Sequence, residues 1–388
     1  MIKTAISENQ LSIYIHIPFC EKKCSYCNFS SVARGNTLFQ TYFNALEKEI
    51  IATSEFQKNS NVTSVYFGGG TPSSVPPEYL SKVLKILYEK YSINDTAEIT
   101  VECNPNSITQ KFADIMLESG VNRFSIGVQS LNNDELKNLG RIHNSNEAES
   151  AYKLLRDCGT KNISIDLMYG IPGQTKKTFE NNLERVVNDW NPEHISLYSL
   201  SVEPGTQFAV WKNKGTKKWE WHDDDTIMNW FIMAEKYLTE NLYPKYEISN
   251  FAKNDCVSIH NNTYWDTSKN YIGFGAAAHS FCCITNGTPK RRFRNIKSID
   301  KYIKKINAGG KHRFFSKQLN PKQQIGEKIY LGLRLTEGVK LNPEEEKLFE
   351  KEILQQIKLG LIKKNKNNNI ALTKRGAQIA NTVMAEFV

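Results

Sequence analysis

Tyr14-Ile-His-Ile-Pro-Phe-Cys-Glu-Lys-Lys-Cys-Ser-Tyr-Cys-Asn-Phe29 runs from an apolar, β-branched segment straight into three cysteines, Cys20, Cys24 and Cys27. Three residues separate the first pair and two separate the second. Residues 11–17 read as a β-strand ended by Pro18, so the cysteines occupy the loop that follows its C-terminal end. Cubane iron–sulfur clusters ordinarily take four thiolates, one per iron. A triad leaves one iron open to a small molecule. The alternative for three thiols is zinc, with His16 or another histidine completing a Cys3His set.

Five more apolar runs follow, at residues 65–67, 98–103, 123–128, 163–169 and 194–200. Most are bounded by Gly, Pro or Asn, as strands are. Between them, residues 38–55, 77–91, 146–158 and 175–190 carry apolar residues at helical spacing. Strand–helix alternation predicts a parallel sheet with helices outside. Six repeats suit a partial (β/α)6 barrel whose sites lie on loops after strand C-termini. The polar signals fall there: the cysteine loop, Gly68-Gly-Gly-Thr-Pro72, Glu102, Gln129, Asp166 and the segment 201–206.

After about residue 215 the pattern changes. A long amphipathic helix is expected over 223–242, then a loop-rich stretch to about residue 300. From Asn320 onward, two helical segments and a hairpin (361–363 with 370–372) predict a winged-helix-like domain serving as a packing module. The expected division is therefore 1–215, 216–310 and 311–388.

Apolar residues make up 40% of the 388, charged residues 23%, and no run of eighteen apolar residues occurs, so no transmembrane helix is expected. The first ten residues lack an apolar signal region, and a cytoplasmic protein is expected. Eight cysteines, three of them clustered, point to metal chemistry in a reducing compartment rather than disulfides. The others, Cys103, Cys158, Cys256, Cys282 and Cys283, have no ligand spacing and read mostly as packing residues. The net charge of +9 raises nucleic acid as a partner, but the lysines are scattered and no basic stripe is interleaved with aromatics, so none is expected. The densest basic patches, 290–294 and 358–366, read as solvated loops. An attraction to anionic membrane surfaces or partners fits the charge better.

The cysteine spacing, with an aromatic before the last cysteine, and Gly68–Gly70 with Thr71 and Pro72 resemble the radical S-adenosylmethionine (SAM) superfamily, in its coproporphyrinogen-dehydrogenase branch. The resemblance implies a [4Fe–4S] cluster on Cys20, Cys24 and Cys27, with SAM chelated to the open iron. It implies that Gly68, Gly69, Gly70 and Thr71 hold the methionine end, the missing Cβ atoms letting a ligand approach. Glu102 would take the amino-acid end, Arg141 the carboxylate, Gln129 and Asp166 the ribose hydroxyls. Tyr26 would stack near the adenine, and Tyr14 belongs to the same set. Reductive cleavage of SAM is the chemistry implied.

Within the branch, Gly140-Arg-Ile-His143, the run from His194 to Thr206, His260-Asn-Asn-Thr-Tyr-Trp265 and Gly273-Phe-Gly-Ala-Ala-Ala-His-Ser-Phe281 resemble the haem-chaperone family. Two departures separate the chain from the oxygen-independent coproporphyrinogen III dehydrogenases. Phe29 stands where they carry a further cysteine, and only thirteen residues precede Tyr14, too few for their N-terminal extension. The resemblance implies a haem carrier serving apo-haemoproteins, with an electron donor for the cluster, and His260 as the haem ligand. His279 is a second candidate and the Cys282–Cys283 pair a third. Read from residues alone, His260 is rather a buried histidine bonded to backbone, with Tyr264 and Trp265 as core. Ala277, where Gly is common in the family, is expected to matter little.

Overall fold

The computed structural model describes residues 10–33, 36–57, 60–215, 221–253, 256–283 and 290–388. The reading of the N-terminus therefore falls mostly on residues outside the described set.

Six parallel strands form the frame: β1 (Gln10–Ile17), β2 (Asn61–Gly69), β3 (Ser92–Cys103), β4 (Arg123–Gln129), β5 (Ile163–Tyr169) and β6 (His194–Ser199). They lie side by side in chain order. The connections carry helices α1 (Phe39–Ser54), α2 (Pro77–Lys90), α3 (Gln110–Glu118), α4 (Asn133–Leu139), α5 (Ser145–Asp157) and α6 (Lys176–Glu184). Their starts are written locally. Pro77 occupies the first turn of α2, Thr109 caps α3, and Asn144 with Glu147 forms a capping box on α5.

Alternation along the strands separates two faces. Ile13, Ile15, Val65, Phe67, Val101, Ile126, Ile165 and Leu197 are buried in one core with α1, α2, α3 and α5. The intervening positions point the other way and are polar: Tyr14, Tyr66, Glu102, Ser125, Asp166 and Ser196, with Tyr14 opposite Tyr66, Glu102 opposite Ser125 and Asp166 opposite Ser196 on neighbouring strands. The helix-covered face supplies the stability, each fully buried Leu, Ile or Phe contributing roughly 1.5–3 kcal/mol. The polar face supplies the site.

The stretch expected to be loop-rich is instead structured. After α7 (Gln207–Lys214) and α8 (Asp224–Glu240), strand β7 (Asn250–Ala252) pairs antiparallel with β6. Helix α9 (Ile259–Trp265) leads to β8 (Asn270–Phe274), which pairs parallel with β1 at the opposite edge. Strands β9 (His279–Cys282), β10 (Arg291–Asn295) and β11 (Arg313–Phe315) continue the sheet antiparallel to eleven strands, with no closure. Residues 250–315 thus extend both edges of one sheet. The basic patch at 290–294 is correspondingly a strand, not a solvated loop. Arg292 lies over Phe281 at 4.6 Å and Arg291 over Phe315 at 4.9 Å, so the guanidinium groups cover aromatic rings, and Arg292 also donates to Glu327 and Tyr271.

Residues from Ile329 to Phe387 build a second core. It contains five short helices and a hairpin of β12 (Ile362–Lys364) with β13 (Ile370–Leu372), where two helical segments and this hairpin were expected. This unit is held to the sheet by Arg292–Glu327 at 3.0 Å and by Arg334 over Trp265 at 4.2 Å.

Candidate functional site

The cysteine loop is anchored at both ends. Phe19 and Cys20 pair with Val32 and Ala33. Inside the loop, Ser25 N–H donates to Leu139 O at 3.1 Å, and Ser25 O accepts from Phe208 N–H at 3.0 Å. Gly140, which ends α4 at φ +75°, permits that approach, because a Cβ there would meet Ser25 Oγ at 2.6 Å. The next residue, Arg141, is thereby aimed at the cysteines. Its guanidinium donates to Gly127 O at 2.5 Å, to Asn104 Oδ1, and to Cys24 Sγ at 3.5 Å. Thr71 Oγ1 donates to Cys20 Sγ at 3.6 Å.

The three cysteines, Tyr26, Gly70 and Thr71 line a cavity of about 400 Å³ at the C-terminal ends of the strands, together with Glu102, Gln129, Arg141 and Asp166 from the polar face. Burial pushes the carboxyl of Glu102 up to about 7 and that of Asp166 to about 6. Glu102 accepts from Tyr66 Oη at 2.8 Å and Gly69 N–H at 3.1 Å, and Ser125 Oγ donates to Asp166 at 3.3 Å. Gln129 has φ +68°. A non-glycine residue held in the left-handed region marks a position where the site dictates the backbone.

The glycines have a different physical reason from the one expected. A Cβ on Gly69, at φ +117°, would lie 2.5 Å from the His16 ring, and one on Gly68 3.0 Å from the Glu102 carboxyl. The space their missing side chains leave is filled by the protein itself. Only Gly70 of the three lines the 400 Å³ cavity. Tyr14 is not on that cavity either. It lines a second one of about 600 Å³, which shares Asn28, Phe29 and Glu102 with the first.

Sequence reasoning missed Arg123, which is 1% exposed, lies on the cavity floor, and has Glu98, Tyr66 and Asp166 as electrostatic neighbours. Its signal was a single charged residue opening an otherwise apolar strand. The Nε atoms of both Arg123 and Arg141 are buried without a hydrogen-bond partner, and buried donors are ordinarily satisfied. The cavity therefore combines three grouped thiols, two carboxyls and two arginines with spare donor capacity. That set fits a thiolate-bound cluster beside a zwitterionic, hydroxyl-bearing ligand. Cys103 reaches the cavity edge, but its thiol is directed at Val101 O and burial pushes it up. Among the described residues no three His, Cys, Asp or Glu side chains converge tightly enough for a single metal ion.

His260 is not presented as a ligand. It is 1% exposed. Its Nδ1 lies 2.9 Å from Ser64 Oγ and its Nε2 2.9 Å from Tyr264 Oη, while the ring stacks on Tyr66 at 4.9 Å. Burial holds it neutral, at about 3. Both ring nitrogens are engaged, one as donor and the other as acceptor, so iron ligation would require dismantling this network. Cys282 is likewise buried, its thiol pushed up to about 12 by burial. His279, by contrast, is exposed at the 600 Å³ cavity.

A cysteine triad after the first strand of an open parallel sheet, facing carboxyls and arginines at the strand ends, defines a radical SAM protein. Residues 14–186 match the model of the Radical SAM superfamily. Over nearly its whole length the chain is 35% identical to the heme chaperone HemW of Bacillus subtilis (strain 168), covering 97% of this chain and 99% of that protein. It belongs to the HemW family. It is also 35% identical to "Radical S-adenosyl methionine domain-containing protein 1, mitochondrial" of Danio rerio, over 85% of this chain and 74% of that one. The fold is similar to coproporphyrinogen III oxidase (HemN) from Escherichia coli, with a TM-score of 0.81 and 22% identity over 99% of this chain and 91% of that one. At that identity the likeness is one of fold.

Proposed function

We propose that this protein is a haem chaperone, which binds haem and passes it to apo-haemoproteins while carrying a [4Fe–4S] cluster and SAM. The observation that carries the reading is the full-length relationship to heme chaperone HemW. Cys20, Cys24 and Cys27 would hold the cluster, and SAM would lie in the 400 Å³ cavity against Thr71, Glu102, Gln129, Arg141 and Asp166. When bound, the cluster can supply an electron that cleaves the sulfonium reductively. The chain's own part is to orient the ligand through Arg141 and the two carboxyls. On this reading residues 1–215 carry cluster and SAM, 216–310 carry the haem-associated motif, and 311–388 pack against them. Partners are haem, recipient apo-haemoproteins and an electron donor, and the net positive charge suits an acidic donor or an anionic membrane surface. Among the described residues no helix is long and apolar enough to cross a membrane.

The fold likeness to HemN supports a second reading, oxygen-independent coproporphyrinogen III dehydrogenase. Phe29, 64% exposed where those enzymes carry a further cysteine, speaks against it. Anaerobic reconstitution followed by haem titration and a coproporphyrinogen assay on the same sample tests both. Haem binding with no protoporphyrinogen formed is expected; steady turnover of coproporphyrinogen would replace the chaperone by the dehydrogenase.

A further inference from the structure

We infer that haem sits in the 600 Å³ cavity, with His279 as the axial ligand of its iron and Arg294 and Lys297 pairing with its propionates. The inference rests on the chaperone reading above and supplies the site which that reading lacks.

The histidines near the cavity are distinguished by what their ring nitrogens already do. His16 is 6% exposed, with Nδ1 3.0 Å from Tyr14 Oη and Nε2 2.8 Å from Ser30 O. His260 is engaged on both sides as described. His279 has an exposed ring with no hydrogen bond or ion pair among the described residues. Partial burial and the charges of Arg294 and Arg292 lower its affinity for a proton, which keeps the imidazole in the neutral form that ligates iron.

The cations are placed for a dianion. Arg294 is the cross-strand partner of His279 in the β9–β10 register, so the two side chains share a face of the sheet. Lys297 follows just beyond the end of β10 and lines the same cavity. Both are exposed, and neither pairs with a carboxylate among the described residues. Phe314 backs the guanidinium of Arg294 at 5.5 Å. The carboxyl that lines the cavity, Glu102, is turned toward Tyr66 and Gly69 N–H. Two propionates would meet two unpaired cations.

Part of the wall is aromatic. Tyr264 and Tyr271 meet edge to face at 4.8 Å, Tyr14 lies beside them, and exposed Phe29 stands at the border. A volume of about 600 Å³ lies inside the range of roughly 300–1,000 Å³ that cofactor pockets occupy. The segment His260–Trp265 then acquires a role without ligating iron. His260 Nε2 and Tyr264 Oη are 2.9 Å apart, so His260 is a positioning residue that sets the Tyr264 wall.

The test is anaerobic titration of the cluster-loaded full-length protein with hemin, read by its Soret band and spin state. His279→Ala should shift the Soret band and move the iron toward high spin, and added free imidazole should restore the wild-type spectrum. Losing an outer-shell partner alone costs 10–100-fold in metal affinity, so losing the ligand should weaken hemin binding by no less than roughly tenfold. His260→Ala should keep the axial-ligand signature. Arg294→Glu with Lys297→Glu should weaken hemin binding but leave binding of hemin dimethyl ester unchanged, because the ester presents no carboxylates. A wild-type Soret band that persists in His279→Ala at unchanged position and affinity overturns this site and leaves the chaperone reading standing. Wild-type protein that binds no hemin overturns the chaperone reading itself.

Discussion

Replacing Gly69 with Ala tests the packing argument for the glycine run in a form that needs no ligand. At φ +117° an L side chain is strained, at about 1–3 kcal/mol. The new Cβ would also lie 2.5 Å from both Cε1 and Nδ1 of His16. His16 cannot yield freely, because its nitrogens hold Tyr14 and Ser30 O, so overpacking adds about 1–3 kcal/mol. The single variant should thus lose about 2–6 kcal/mol in anaerobic chemical denaturation. Truncating His16 to Ala removes the ring and with it the second term. Gly69→Ala should therefore cost about 1–3 kcal/mol less in the His16→Ala background than in the wild type. If the two substitutions add within about 0.5 kcal/mol, the ring is not what requires Gly69.

Arg141→Ala should weaken SAM binding by about 2 kcal/mol, roughly thirtyfold, through loss of a charge-assisted pair; equal affinity by calorimetry would remove Arg141 from the SAM site. Affinity for SAM should rise as pH climbs through about 6 to about 7. Glu102 and Asp166, neutral below those values, become the carboxylates that a cationic ligand prefers, and Glu102→Gln should flatten the upper part of the rise, whereas affinity falling with pH would reverse the assignment. Ala277 sits at φ +65°, so Ala277→Gly should stabilise the fold by up to about 1 kcal/mol; a lower melting midpoint would contradict this. The expectation that Ala277 matters little gives way to a small, measurable strain.

The parallel frame was legible because each strand carries β-branched or aromatic residues on its helix-covered face and is mostly bounded by Gly, Pro or Asn, and α1, α2, α5 and α6 carried clear helical periodicity. The site followed from it, since loops after parallel strands converge by topology, and the cysteine spacing is specific. Residues 250–315 were not legible. Their strands are three to five residues long, and β10 holds three arginines, one asparagine and a single apolar residue, Phe293, a composition that resembles a solvated segment. His260 shows the remaining limit. Its burial depends on Ser12, Ser64 and Glu98, residues 160 or more positions away, and nothing local announces that meeting. Arg123 was hidden for the same reason: its neighbours come from strands distant in sequence.

Asn28, Phe29 and Glu102 are shared by the linings of the two cavities. An occupant of either cavity would therefore contact side chains that an occupant of the other also touches. Free-energy coupling between two ligands is symmetric at equilibrium. If a ligand beside the cysteines tightens the tyrosine-walled side by about tenfold, an occupant there must hold that ligand about tenfold more tightly in return. Emptying either compartment then loosens the occupant of the other by that same factor, so the two ligands are retained together and lost together.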